Sequence, residues 1–493
     1  MNDTRSHGVV LPEGHTGSSY FHKVLSEAAA KFPEALAAVE LPPTASRFKA
    51  TYGEALLRFE LARLQSEERV EIARFIAQTT QAGLSFQNGE GRVPLGPYLS
   101  ERVRAPEFRE LRFDAEPGLV PEVPFAGKTY RGEDLIELAQ LLRTRHYVTE
   151  GVVAALTWLV GHSKQTGGKL QLNGRKFALM GAGAELAPTA LLQRAGATVL
   201  WIDILDPRDK LSQRQDLAGC LLYAPDHSNL LAQPREVAAA IARFAEGDPV
   251  DIGMFAYAAG ASQEWRLGAS MNAIVRSLEP SDVKSVAMFV SPTTVARVYP
   301  ADIRDARQRM ASRPTWQKIM QGMQGLHTPG QLGEGDLQVA KAVVGVQGVS
   351  YQAAQYISKL IAAETYAVYG TDLAAETPRP ITVSANIAGI TRTRSLSHPV
   401  FQAAFVGAPS FGVQIFDPET TRALNGLLVL HDVLNPEAPG AAGRTYATHR
   451  GHADALLSQQ VHGGIYSMPF ALDSAIRIAA LLGMARKPTV LIK

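Results

Sequence analysis

The chain has one cysteine, Cys220, among 493 residues. No intrachain disulfide can form, so the core must hold the fold, and a reducing, cytoplasmic compartment is the expectation. Neither sign of charge is in surplus, with 49 basic residues against 47 acidic ones. That balance offers no basic surface for nucleic acid and no polybasic attraction to an anionic membrane. Long apolar runs are missing too. The nearest candidate, 152–160, falls well short of the about 18 residues that a membrane-spanning helix takes. The N-terminal segment MNDTRSHGVVLPEGHTG lacks the apolar stretch of a secretory signal. Repeats and low-complexity tracts are absent. What is present is 46% apolar and 19% charged, an ordinary make-up for a globular protein of two or more domains.

The chain changes character near residue 170. Residues 1–170 read as mainly helical, with apolar residues at three- and four-residue spacing across 19–39, 52–82, 132–143 and 148–162. Between these, 87–130 is rich in Pro, Gly and Arg and reads as irregular. Arg63 and Arg69 fall on a charge-laced helix and read as a solvated face. From 171 to 430, apolar runs alternate with helical stretches. The runs are 176–181, 198–203, 218–223, 251–257, 285–291, 380–386 and 411–415. This alternation predicts an α/β fold with a doubly wound parallel sheet of Rossmann type. An insertion at about 300–345, rich in Gly, Gln and Met over 310–339, is a candidate lid. Residues 431–493 read as loops and a last helix, 471–486, packing on that domain.

The segment 176–204 is the most informative. An apolar run leads into Gly181-Ala182-Gly183, then a helix-prone stretch, a second apolar run, and Asp203 followed by Ile204. A dinucleotide-binding βαβ unit needs this layout. Glycines let the backbone approach a pyrophosphate, a helix N-terminus favours the anion, and a carboxylate accepts from a ribose hydroxyl. Asp203 comes 22 residues after Gly181, the spacing that role requires. Leu186 stands where a third glycine would be. Asp203 as a helix cap, with the glycines as a simple turn, is the competing structural reading.

The order of landmarks over about 175–415 resembles the short-chain dehydrogenase/reductase family. The glycine turn looks like Gly181 to Ala187, with Glu185 and Ala187 in place of two family glycines. The strand end Tyr257-Ala258-Ala259-Gly260 looks like the family's Asn-Asn-Ala-Gly. Ser291 ends the strand that carries the family's catalytic serine. Tyr351 and Gln355 look like the Tyr-x-x-x-Lys pair. The segment ITVSANIAGITRT, with Ala388, Gly389, Thr391 and Thr393, looks like the last strand and the turn beside the nicotinamide.

The resemblance implies a catalytic set of Tyr351 as acid/base, Ser291 steadying the substrate oxygen and Gln355 holding the ribose. It implies a cofactor cradle of Gly181, Gly183, Glu185, Leu186, Asp203, Ile204, Tyr257, Ala258, Ala259, Gly260, Ala388, Gly389, Thr391 and Thr393. Asp203 falls at the position that selects NAD over NADP, because a carboxylate there repels a 2′-phosphate. The chain departs from the family at Gln355. None of the 14 tyrosines is followed by Lys four residues on. Lys359 lies eight residues past Tyr351, a rise of about 12 Å along a helix. Without the amine, Tyr351 keeps a pKa nearer the usual ~10.

A separate cluster, His449, His452 and His462 with Asp454, has partial metal-ligand spacing but is read as scattered histidines, not a metal site. The turn Gly463-Gly464 with Tyr466 is a candidate flap over the substrate. Two functions fit this sequence. One is an NAD(P)-dependent oxidoreductase acting on a carbonyl, alcohol or related group of a small organic substrate. The other is a dehydrogenase-like chain that has lost catalysis and serves as a nucleotide-binding or interaction module. A small molecule is the expected partner, neither nucleic acid nor membrane is expected, and a homodimer is left open.

Overall fold

The computed structural model describes residues 7–258, 260, 262–442, 444 and 459–488. Its centre is a seven-stranded sheet. The strands are β1 (Arg109–Asp114), β2 (Lys176–Met180), β3 (Thr198–Ile202), β4 (Ala218–Tyr223), β5 (Val250–Met254), β6 (Val283–Val290) and β7 (Thr382–Ile387). Their spatial order is β7-β6-β5-β2-β3-β4-β1. All neighbours are parallel except β1, which runs antiparallel to β4 at one edge. The order reverses between β2 and β5, and open α/β sheets form their ligand crevices beyond the strand ends at such a point.

The sheet is covered on both faces, which is why its parallel strands read as apolar runs. Along β2 the side chains alternate. Ala178 and Met180 join one core, while Phe177 and Leu179 join the other. The first core takes in α1 (Gly17–Lys31), α2 (Ala45–Gln65) and α3 (Arg69–Ala82). The second takes in α4 (Glu133–Thr144) and α5 (Glu150–Gln165). Thr16 starts α1 with a reciprocal capping box to Ser19, which satisfies end donors that would otherwise be orphaned. Five further helices matter below. They are α6 (Val349–Leu360), α7 (Pro399–Gly407), α8 (Pro418–Leu434), α9 (Leu472–Arg486) and the short Thr189–Arg194.

Six of the seven expected strands are present. The seventh, 411–415, is instead a 3-10 turn, Ala408–Phe411, followed by irregular chain. The helix expected over 52–82 is two helices, α2 and α3, parted at 66–68. The segment read as irregular holds β1 and a hairpin, Glu122–Phe125 with Lys128–Arg131. Residues 1–170 therefore contribute directly to the central sheet. The 310–339 stretch contains the helix Thr315–Gly322 and a hairpin, Gln331–Glu334 with Leu337–Ala340, which lies against α2. Among the described residues, no helix is long and apolar enough to cross a membrane.

Candidate functional site

A cavity of about 610 Å³ opens where the strand order reverses, within the ~300–1,000 Å³ of small-molecule sites. Met254 and Phe255 line it from the end of β5, Met288 to Val290 from β6, and Ala388 and Gly389 from beyond β7. Gly183, Glu185 and Leu186 close one side, and Tyr257, Ser291, Tyr351, Gln355, Thr391 and Thr393 complete the expected residues in its wall. The fold thus brings together residues separated by more than two hundred positions. Gly181 shapes the turn from behind, while Ala258 and Gly260 lie off the wall. Ala259 falls outside the described residues. None of 310–339 lines the cavity, so the lid expected there does not cover it.

The glycine turn is built for close approach. Gly181 has φ +86°, and a Cβ there would sit 2.3 Å from the Ala256 backbone nitrogen, so only glycine fits. Beyond it the chain makes turns, and the helix Thr189–Arg194 begins eight residues later with six residues in all. A helix N-terminus therefore does not face the turn. Asp203 does two backbone tasks. Its Oδ2 accepts the Gly183 N–H at 2.9 Å and its Oδ1 the Leu205 N–H at 2.9 Å. With Ile204, it lines a neighbouring cavity of about 280 Å³ beyond β3 and β4, and Leu205 stands in the walls of both. Glu185 does not meet the cavity as a bare carboxylate. Its Oε2 accepts the Arg394 backbone N–H at 3.1 Å and lies 3.9 Å from the Arg394 guanidinium. The Arg422 guanidinium donates to the Glu185 carbonyl at 2.7 and 2.9 Å.

The opposite wall holds the hydroxyl groups. In α6, Tyr351, Ala354, Gln355 and Ser358 line the cavity, the i, i+3, i+4, i+7 set of one helical face. Gln355 Oε1 accepts the Ser291 N–H at 2.9 Å. Ser291 Oγ and Thr293 Oγ1 are 2.9 Å apart, and Thr293 Oγ1 donates to Gln347 Oε1 at 2.7 Å. Ser291 also accepts the Thr293 N–H at 3.2 Å. It is both a turn cap and a wall residue. Burial pushes the Tyr351 pKa up. The neighbouring Ser291 and Thr293 hydroxyls pull it back only in part, and the Glu264 charge adds to the rise. The Tyr257 ring meets Tyr351 edge-on at 6.2 Å, and burial, then Tyr351 and Glu264, raise its pKa as well.

Sequence reasoning missed Thr293, Gln347, Glu264 and Arg394. Thr293 could have been found from its place two residues past Ser291, the others only from the fold. It also misplaced Arg63 and Arg69. Both are buried. Arg63 donates to Glu60 at 2.8 and 3.1 Å and to Glu364 at 3.3 Å, and Arg69 lies 3.8 Å from Glu364. Lys359 donates to Glu60 at 2.9 Å, and Tyr356 donates to the same carboxylate at 2.7 Å. Burial alone would raise the Glu60 carboxyl, but the Arg63 and Lys359 cations outweigh it and hold it at about 2. This network occupies the side of α6 turned away from the cavity, so Lys359 does not replace the missing amine.

His449, His452 and Asp454 lie outside the described residues. His462 is fully buried, with Nε2 3.2 Å from Asp302 Oδ1 and Nδ1 accepting the Gly464 N–H at 3.0 Å. Tyr466 stacks on it and is buried in the core, so the Gly463-Gly464 turn is not a flap over the cavity. Among the described residues, no group of three or more His, Cys, Asp or Glu is placed to hold a metal ion. Burial and the neighbouring Glu110 carboxylate push the Cys220 thiol up to about 12, which keeps it a poor nucleophile. Compared with family models, curated proteins and solved structures, the chain matches none.

Proposed function

We propose that the protein is an NAD-dependent oxidoreductase of a divergent, short-chain-dehydrogenase-like kind, acting in the direction of carbonyl reduction on a small or medium organic substrate. One observation carries this reading. The 610 Å³ cavity lies at the reversal of strand order and joins the glycine turn to Ser291, Tyr351 and Gln355. The residues fit a dinucleotide. Gly181 leaves room for it, and Arg394 supplies a positive charge beside a turn whose own carboxylate it partly neutralises. Asp203 keeps lone pairs free for a ribose hydroxyl after serving two backbone donors, and its charge disfavours NADP. The bound nicotinamide would supply the hydride.

The chain's own residues handle the proton. Tyr351 keeps its hydroxyl protonated at neutral pH and can give that proton to a carbonyl oxygen. Ser291, two residues from Thr293 and bonded to it, holds that oxygen in place. The Gln355 Oε1 is already engaged, which leaves its amide N–H groups for a hydroxyl. The same raised pKa makes Tyr351 a poor base, so alcohol oxidation is disfavoured.

The absence of any cation on the Tyr351 face favours a second reading, a dinucleotide-binding module without turnover. Titration with NADH and NADPH, followed by nicotinamide fluorescence, tests the first step. NADH should bind more tightly than NADPH. No binding of either removes both readings, and preference for NADPH removes the role of Asp203. Binding without turnover of any carbonyl substrate leaves the second.

A further inference from the structure

A second cavity, of about 70 Å³, continues the first. Thr293, Gln347, Ile390, Leu396 and Phe401 stand in both walls. Among the described residues lining the second cavity, Thr293 and Gln347 alone are polar, and both stand at the junction. Past them the lining is apolar, with Phe405, Phe411, Met468, Leu472 and Ile476 drawn from α7, α9 and the chain between. Its walls are fixed. A Cβ on Gly407 would lie 1.8 Å from the Ala479 carbonyl oxygen, and one on Gly483 would lie 1.8 Å from that of Ala403. The two helices are therefore pinned backbone to backbone, and the space beside them cannot close by a small slide.

We propose that this pocket takes the unbranched apolar tail of the substrate, whose uncharged oxygen-bearing head sits at Ser291 and Tyr351. Three observations support the assignment. Past the junction, the described residues of the pocket offer nothing to pair with a phosphate, a ribose or a carboxamide, and burying such groups there unpaired is unfavourable. The junction carries the Ser291–Thr293–Gln347 hydroxyl and amide chain, which marks where polar chemistry ends. Among the described residues, the charged groups in the main cavity wall are Glu185, Glu264 and Arg394. Arg394 is tied to Glu185 and largely exposed, so among the described residues of the wall no buried cation awaits an acidic head. At roughly 10–15 Å³ for each group the size of a water molecule, the space holds about five to seven methylenes. The assignment of the head rests on the hydride-transfer reading, whereas the tail pocket does not.

The test is a homologous series of straight-chain primary alcohols, butanol to dodecanol, titrated into the full chain without dinucleotide and followed by calorimetry. Affinity should rise about fourfold per methylene, the ~0.8 kcal/mol of a buried CH₂, and then level off. Ala475→Phe, which fills the pocket, should flatten the series. Ile476→Ala, which widens it, should move the levelling point to longer chains. Affinity independent of length overturns the proposal, as does an unchanged series in a folded Ala475→Phe. If that variant fails to fold, an unmoved levelling point in Ile476→Ala overturns it. A length series that holds while NADH fails to bind keeps the pocket and removes the hydride-transfer reading. NADH binding with a flat series does the reverse.

Discussion

The two sides of α6 differ in one respect that decides what each can do. The side turned to the cavity carries Tyr351, Ala354, Gln355 and Ser358 and no charge. The side turned to α2 carries Tyr356 and Lys359, which meet Glu60 and Arg63 in a fully buried ionic network. Both sides hold a tyrosine whose hydroxyl is hard to ionise, for different reasons. Burial does it for Tyr351, with hydroxyl neighbours opposing. Burial does it for Tyr356 as well, and the Glu60 carboxylate it donates to adds to the effect. A lysine on this helix therefore anchors the N-terminal helices, and the cavity is left with neutral donors.

The sharpest way to break this contrast is Tyr351→Phe. Turnover of any carbonyl substrate should fall about 10²–10⁴-fold, the usual share of a general acid, while stability stays within about 1 kcal/mol. Steady-state kinetics beside urea unfolding would show it, and unchanged turnover would take Tyr351 out of the mechanism. Glu60→Gln should do the converse. It leaves the Arg63 and Lys359 cations short of a buried partner, a loss of about 3–5 kcal/mol, read as a lower urea midpoint. An unmoved midpoint would show the network to be dispensable.

A smaller effect is expected from Gln355→Lys, which moves a cation onto the neutral side. A positive charge within reach favours the phenolate and should lower the Tyr351 pKa by about one to three units. In the native chain the raised pKa keeps the acid form, so the carbonyl-reduction rate should stay level from neutral pH to about 9, just below the ordinary ~10 of tyrosine. In Gln355→Lys an alkaline fall should enter below that point. Identical pH profiles would refute the electrostatic account. The smallest effect concerns acid. Glu60 is held at about 2, below the ~4.3 of a free glutamate. Its stabilisation is therefore complete above that range and disappears as pH falls through about 2. Below pH 4 the native chain should lose more stability than Glu60→Gln, and the two unfolding curves should converge. Parallel loss would assign the acid sensitivity elsewhere.

The sequence made most of the sheet plain and one edge, β1, invisible, for one physical reason. Strands β2, β3, β5 and β6 are covered on both faces, so each reads as an apolar run. β1 is RELRFD, alternating and mostly exposed, with a partner more than a hundred residues away. The pairing of Tyr351 with Gln355 was legible because four residues make one helical turn. The burial of Arg63 was not, because Glu364 lies 301 residues further on. The apolar run at 411–415 came from burial in a loop beneath the second cavity, where periodicity carries no strand signal. Glu185 showed in the sequence only as a residue in place of a glycine, because Arg394, its partner, lies more than two hundred residues further on.

The antiparallel strand β1 has a consequence for how copies of this chain meet. An open parallel sheet ending on β4 would present a row of unpaired amides and carbonyls to any passing strand. β1 covers that row and turns outward a short strand bearing Arg109, Glu110, Arg112 and Asp114. At the far side, Gly440 accepts from Val383 and Gln460 bridges to Ile387 along β7. Growth of the central sheet from one molecule into the next is thereby discouraged at both margins.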